Sequence, residues 1–422
     1  MNNNLNLPRK FDAVSGGSVP PPIEGVVLGG LEGVKQRMKS PVARERAATL
    51  IDAFRYGEGG LDLLIAALED SSEQVQLFAG HLLRDNGGEK GKQALLRHNP
   101  WLHFTMLEDW KFEDFYPNIG ITAAVSTAYN VNLYRQEPNS RGGFKIVEGF
   151  TLDEFQALLK DPQIGEVEAL ACWMPDDRGI QIYQKECREF IQVLCQENKQ
   201  LTSLKALFIG DRREHEYKKS RIYLSDMSPI FEAFPRLEVL KLHGCPTKDY
   251  FSEKICHERI KTLIIETADN DKDSLAQTCD LNLPALEYLE LWGGRCGDIS
   301  NISDSLAPLI TGKSFPNLSY LGLPSFEETD WLAQVLVDSP ILNRLRILNL
   351  SKGTMTDTGA ELLLNSRPIS QLRLLNVANN YLSTAIVQRL SQLKCQVIAD
   401  SQDVEDTSYR GNSSSRYYAL YE

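Results

Sequence analysis

Several stretches of this 422-residue chain carry residues at spacings that suit chemistry. Ala307–Ser314 reads APLITGKS, the outline of a phosphate-binding loop in which glycine, lysine and a hydroxyl follow one another. Such a loop needs a buried strand before it and a helix N-terminus after it, so that backbone N–H groups converge on phosphate. Here Ser303–Ile310 has helical spacing and Phe315–Pro316 follows at once, so no helix can open where the phosphate would sit. Gly87–Lys92 (GGEKGK) has the wrong spacing and continues into Gln93 where a hydroxyl is required. His243, Cys245, Cys256 and His257 are metal-binding types, but structural zinc takes four ligands converging tetrahedrally, usually from paired short spacings. These four are split between the end of one expected strand and the approach to the next. Asp211–Glu216 (DRREHE) reads as a solvated loop. No catalytic residue, cofactor site or metal site is therefore assigned.

The elements that would position any site are set by leucine. Of 57 leucines, 34 fall between positions 201 and 400. They recur as apolar-x-x-Leu-x-apolar at Leu204/Leu207/Ile209, Leu237/Leu240/Leu242, Ile260/Leu263/Ile265, Leu286/Leu289/Leu291, Leu318/Leu321/Leu323, Leu345/Leu348/Leu350 and Leu372/Leu375/Val377. A looser copy stands at Val167/Leu170/Cys172. Starts from 204 are separated by 33, 23, 26, 32, 27 and 27 residues. Two apolar side chains one residue apart share a face of a strand. Helical spacing at Asp330–Val337 and Thr356–Leu364 supplies the return path. A strand–helix unit of this size cannot bury its own apolar face, so neighbours must stack. The expected fold is α/β: a leucine-rich-repeat solenoid over 167–400, a horseshoe with a parallel concave sheet. An ordinary α/β domain with leucine-bearing strands is the alternative, and seven copies of one frame argue against it. Asn380 completes the last copy and can bond backbone groups where the chain leaves the strand, since its amide both donates and accepts.

If the frame leucines point inward, the residues between them line the concave sheet. Across the central strands this brings together Lys241, His243, Glu266, Tyr288, Glu290, Trp292, Tyr320 and Asn349. Exposed aromatic side chains mixed with charge are what binding hot spots use, so these eight form the candidate partner-binding site.

Before the repeats the pattern changes. Residues 1–29 are expected to be flexible, and 30–100 to form a small all-α unit. Ser40 reads as an N-cap with Pro41 at the first helical position, opening Val42–Tyr56; Gly57–Gly60 breaks it, and Leu61–Leu68 follows. Ser71-x-x-Gln74 resembles a capping box before Val75–Arg84. Residues 101–166 read as a connector. Val125–Leu133 alternates like a strand, Pro138–Gly143 as a turn and Phe144–Val147 as the returning strand of a hairpin, closing the edge of the first repeat. Residues 401–422 form a polar tail whose end, Tyr417, Tyr418, Leu420 and Tyr421, is expected to dock on the solenoid.

Leu345–Leu364 (LRILNLSKGTMTDTGAELLL) resembles the ribonuclease-inhibitor type of leucine-rich repeat. Leu204–Asp211, Asp226–Leu242, Leu283–Trp292 and the terminal Arg416–Glu422 (RYYALYE) resemble blocks of a bacterial leucine-rich-repeat family that carries no established activity. The segment 30–100 resembles HEAT-like helical repeats common in cyanobacterial proteins, related to those of phycobilin lyases and many interaction proteins. That resemblance implies shape more than chemistry. Cys296-Gly297-Asp298 is similar to a Cys-x-Asp motif of bacterial ubiquitin ligases, whose separate catalytic domain has no counterpart expected here.

Charge narrows the partners. The chain carries a formal −12, and residues 1–100 hold 12 basic and 12 acidic side chains, so the excess lies beyond them. An acidic body repels phosphate backbones and anionic lipid, so neither nucleic acid nor membrane is expected to bind. No long apolar run or leader-like core is evident, and eight scattered cysteines suit a reducing compartment. The reading is a cytoplasmic, monomeric protein–protein adaptor or scaffold without catalysis or cofactor. The alternative is an accessory lyase-like or chaperone-like factor acting through the helical unit, where His81 and His98 are the only histidines within 30–100.

Overall fold

The computed structural model describes residues 30–138, 144–174, 184–210, 222–252, 254–268, 270–294 and 299–403. Residues 1–29, the hairpin turn beyond Pro138, Asp211–Glu216, Cys296–Asp298 and the aromatic C-terminal end lie outside them. The chain divides into two compact units, Met1–Phe104 and Thr105–Glu422.

The first unit contains helices α1 (Gly30–Arg37), α2 (Ala43–Phe54), α3 (Gly57–Ala66), α4 (Glu73–Asn86) and α5 (Gly88–His98). Their apolar faces meet in one core around Val34, Leu50, Leu64, Val75, Leu83 and Leu95. Gly60 lets α3 cross α2 closely, since a Cβ there would fall 1.8 Å from the Ala53 carbonyl oxygen. Arg46 ties the unit together: its guanidinium donates to both Asp70 carboxylate oxygens at 2.8 and 2.7 Å and to the Ser40 carbonyl at 2.7 Å. Local signals misplaced three ends. Ser40 does not take the N-cap position of α2, which belongs to Val42; its hydroxyl instead accepts from the Val42 N–H. The Ser71–Gln74 box does not form, because Asp70 takes over, accepting from the Ser72 N–H and, at its carbonyl, from Gln76. Gly57–Gly60 does not merely break a helix but opens the next, with Gly57 at φ +59°.

The second unit is built on strands β1 (Lys111–Asp114), β2 (Thr127–Asn132), β3 (Tyr134–Pro138), β4 (Phe144–Phe150), β5 (Ala169–Trp173), β6 (Ala206–Gly210), β7 (Val239–His243), β8 (Thr262–Glu266), β9 (Tyr288–Leu291), β10 (Tyr320–Gly322), β11 (Ile347–Asn349), β12 (Leu374–Asn376) and β13 (Gln396–Ile398). Eleven of them form one parallel sheet in chain order, β3 and β4 alone pairing separately as an antiparallel hairpin. Helices α6 (Asp153–Leu159), α7 (Gln184–Gln196), α8 (Ser228–Ala233), α9 (Lys272–Cys279), α10 (Ile299–Ile310), α11 (Thr329–Val337), α12 (Asp357–Leu364) and α13 (Thr384–Leu390) lie between strands. This is a leucine-rich-repeat solenoid.

The frame explains the register. Leu207, Leu240, Leu263, Leu289, Leu321, Leu348 and Leu375 stand directly beside one another across β6–β12, all wholly buried in one continuous core with the helices. Asn380 does what its amide allows. Nδ2 donates to the carbonyls of Leu350 (2.9 Å), Val377 (3.1 Å) and Ala378 (3.2 Å), while Oδ1 accepts from the Met355 N–H at 2.9 Å. Acidic residues in the first turns of the last helices link repeats. Asp330 accepts from the Thr356 and Gly359 N–H groups at the head of α12, and Asp357 from the Ser383 N–H at the head of α13. Carboxylates there also complement the helix N-terminus.

One expectation about the connector is overturned. The alternating stretch 125–133 is not the first strand of a hairpin. It supplies β2, which pairs in parallel with β5, and β1 beyond it forms the edge of the sheet. The hairpin uses the next residues, Tyr134–Pro138, against β4. Alternation is the same in parallel and antiparallel strands, so it could not distinguish them.

Candidate functional site: the sheet face opposite the helices

Residues between the frame leucines face away from the helices, and the parallel register sorts them into three rows. The row nearest the strand starts runs from Ala169 through Val239, Thr262, Tyr288 and Tyr320 to Leu374, and all of it is buried. Part of the cover comes from the start of the same unit. Leu107 and Trp110 pack on Ala128, Ala169, Ala171, Ala206, Phe208 and Val239. The Thr262 hydroxyl donates to the Thr105 carbonyl at 2.7 Å. Four alanines on β2, β5 and β6 leave the depth that Leu107 and Trp110 fill. Residues 105–110 thus form a strap over the first half of this face.

Exposure returns toward the strand ends. Trp173, Lys241, His243, Glu266, Glu290, Trp292 and Asn376 are partly exposed, while Asn349 in the same region is buried. On β7 and β8, Glu266 joins two partners: Lys241 Nζ lies 3.0 Å from Oε1 and His243 Nδ1 3.1 Å from Oε2. Burial opposes the Glu266 charge, but Lys241 and His243 outweigh it and hold the carboxyl down at about 2. Burial likewise works against the Lys241 ammonium, and Glu266, with Glu108 of the strap and Glu290, raises it above its ordinary value. Lys241 also stands 5.6 Å from the centre of the Phe208 ring.

On β9–β11 the organising group is Glu290. Its Oε2 accepts from the hydroxyls of Tyr288 (2.8 Å) and Tyr320 (2.7 Å), and its Oε1 from Trp292 Nε1 (2.7 Å). The two tyrosine rings stack 3.7 Å apart and nearly parallel, and Asn349 Nδ2 donates to the Tyr320 hydroxyl at 3.0 Å. Burial first, and then the Glu290 charge, push both phenols well above the usual range, so they remain donors. Lys352 completes the strip. Its backbone is left-handed (φ +61°), as at Gly294, Ser325 and Asn379 in the corresponding turns, and its ammonium lies 4.5 Å from the Trp292 ring centre.

The structure therefore brings all eight sequence-selected residues into one region but changes the role of three. Tyr288, Tyr320 and Asn349, read from the sequence as exposed contact residues, are buried: the two tyrosines donate to Glu290, and Asn349 donates to Tyr320. Their polar atoms find partners within the sheet, which is how such groups tolerate burial. Sequence reasoning missed the strap and Lys352. The run of alanines at face positions of the early strands was the available signal for the strap, because small residues there imply something else filling the space.

The other motifs resolve as structural. APLITGKS begins within α10, and Phe315, at φ +51°, leads into β10, so a helix precedes the motif and none follows. His257 is a buried bridge: Nδ1 accepts from the Arg259 and Ile260 N–H groups, and Nε2 donates to the Phe234 carbonyl at 3.1 Å. That assignment leaves it neutral, and burial lowers its pKa accordingly. No group of three or more His, Cys, Asp or Glu side chains suited to a metal ion occurs among the described residues. No helix among them is long and apolar enough to cross a membrane.

No family model matches the chain, and no curated protein matches it in sequence. Among solved structures, a protein of Bacteroides fragilis is similar with 26% identity and a TM-score of 0.51, over 60% of this chain and 74% of that one. An internalin from Listeria monocytogenes aligns at 15% identity and a TM-score of 0.24, covering 61% and 71% of the two chains. Human 5T4, a trophoblast glycoprotein also described as Wnt-activated inhibitory factor 1, aligns at 16% and 0.27, covering 56% and 71%. The eleven-stranded parallel sheet and its repeated leucine frame, rather than these last two alignments, establish the chain as a leucine-rich-repeat protein in fold.

Proposed function

We propose that this protein is an interaction adaptor that holds a protein partner on the strip formed by Lys241, His243, Glu266, Glu290, Trp292 and Lys352. The observation that carries this reading is the triple hydrogen bonding of Glu290, which fixes Trp292 beside Lys352 on a partly exposed surface. An indole held in place loses little entropy on binding, which is what favours aromatic anchors at interfaces. Repeat solenoids commonly bind through the face that carries their parallel strands. In this reading the protein acts as a monomer in the cytoplasm, residues 30–100 form a HEAT-like unit, and 167–400 is the repeat domain presenting the strip.

The test is capture of partners from the native extract by the full chain and by Trp292→Ala and Lys352→Gly variants. Glycine suits the left-handed backbone at 352, so the second variant removes the cation without straining the turn. Both variants are expected to lose the same captured protein. Retention by both would overturn the strip as the binding site.

A further inference from the structure

The opposite ends of the strands carry a second charged row. The residue after each frame's first apolar position is Glu168, Lys205, Glu238, Lys261, Glu287, Ser319, Arg346 and Arg373. Backbone hydrogen bonds align them one beside the next, from Lys205 N–H to the Glu168 carbonyl through to Arg373 N–H to the Arg346 carbonyl. Signs alternate at first and cancel: Lys205 Nζ lies 2.7 Å from Glu168 and Lys261 Nζ 2.8 Å from Glu238. Ser319 interrupts the alternation. After it, Arg346 and Arg373 stand immediately before adjacent strands, both exposed, and neither has a carboxylate partner among the described residues.

Like charges on neighbouring strands, about 4.8 Å apart, repel each other and are unfavourable without an external counter-charge. The surroundings add to the excess. Residues 339–399, flanked by Asp338 and Asp400, hold seven basic and two acidic side chains in a chain of net −12. Of the two carboxylates, Glu361 is taken by Arg389, and Asp357 accepts from the Ser383 N–H. Arg367 and Lys394, on the segments before β12 and β13, are also exposed.

We propose that this rim, centred on Arg346 and Arg373, binds an acidic segment of a protein partner. A short acidic peptide fits a basic surface two or three strands wide. A nucleic acid would have to continue over the acidic remainder of the chain, which repels it. The rim lies at the strand starts and the Trp292 strip at the strand ends, so the two surfaces stand or fall separately.

The experiment is fluorescence anisotropy of a fluorescein-labelled hexaglutamate peptide with the full chain, at low and at physiological ionic strength. The peptide should bind at low salt and weaken as salt rises. Arg346→Gln with Arg373→Gln should weaken binding roughly tenfold, while the matched Lys205→Gln with Lys261→Gln should change it less than about twofold. No binding at low salt, or equal loss from both double variants, would overturn the proposal. So would a single-stranded oligonucleotide binding as tightly through the same two arginines.

Discussion

Gly322 stands beside Glu290 on the neighbouring strand, and its missing side chain makes room for the Glu290 carboxylate to reach Tyr320. A Cβ at Gly322 would lie 3.0 Å from Glu290 Cγ and 3.0 Å from the Tyr320 hydroxyl oxygen. Gly322→Ala should therefore crowd the carboxylate rather than the core. The expected cost is about 1–2 kcal/mol, with a shift in Trp292 emission as its indole N–H loses its acceptor. A silent emission spectrum would mean that Glu290 does not hold the indole.

The strap should contribute strongly to stability. Trp110 fills the depth left by the alanines, so Trp110→Ala should destabilise the repeat unit by about 3–4 kcal/mol in denaturant titration. Filling the floor should help once the strap is lost and hurt while it is in place. Ala171→Val in the Trp110→Ala background is expected to recover part of the loss, whereas in the native background it should destabilise.

Asn380 should tolerate neither truncation nor charge. Asn380→Ala leaves the Leu350 carbonyl and the Met355 N–H without their side-chain partner, while the Val377 carbonyl keeps Gln402 Nε2 and the Ala378 carbonyl the Lys352 N–H, at a cost of about 2–4 kcal/mol. Asn380→Asp keeps the acceptor for Met355 but turns a carboxylate toward those carbonyls, and should be at least as damaging. Thermal unfolding of the two variants checks the order.

Glu266 sets a pH signature. Its carboxyl is held at about 2 in the folded chain against an ordinary 4.5, so the unfolded chain binds the proton more readily in between. The stabilisation is complete above 4.5 and is lost as pH falls toward 2. Glu266→Gln should flatten that part of the stability profile relative to the native chain. An unchanged slope would show that Lys241 and His243 do not hold the charge.

The sequence carried much of this architecture because leucine has one inward use in such a repeat. The frame placed β6–β12 and their register, and Asn380 announced its backbone bonds by its position in the longest copy of the pattern. Local polarity could not reveal what lies over the sheet. Tyr288 and Tyr320 have the same residue type whether open to solvent or stacked on each other and buried, and only the three-dimensional row shows them buried. Leu107 and Trp110 are separated by Glu108 and Asp109 in a stretch with no apolar period, so nothing in the chain order pointed them at Ala171 or Phe208. Caps failed for a similar reason: Asp70 outcompeted the Ser71–Gln74 pair through Arg46, a partner 24 residues away.

The most direct measurement is site-specific photo-crosslinking in the native extract, with a benzophenone side chain at Asn376, partly exposed on the same face and outside the strip, and, as control, at Gln334 on the exposed side of α11. A discrete adduct is expected from position 376 that is absent from position 334 and disappears when Trp292 is changed to Ala or Lys352 to Glu. No adduct at 376, or the same adduct from both positions, would contradict a partner-binding strip on this face of the sheet.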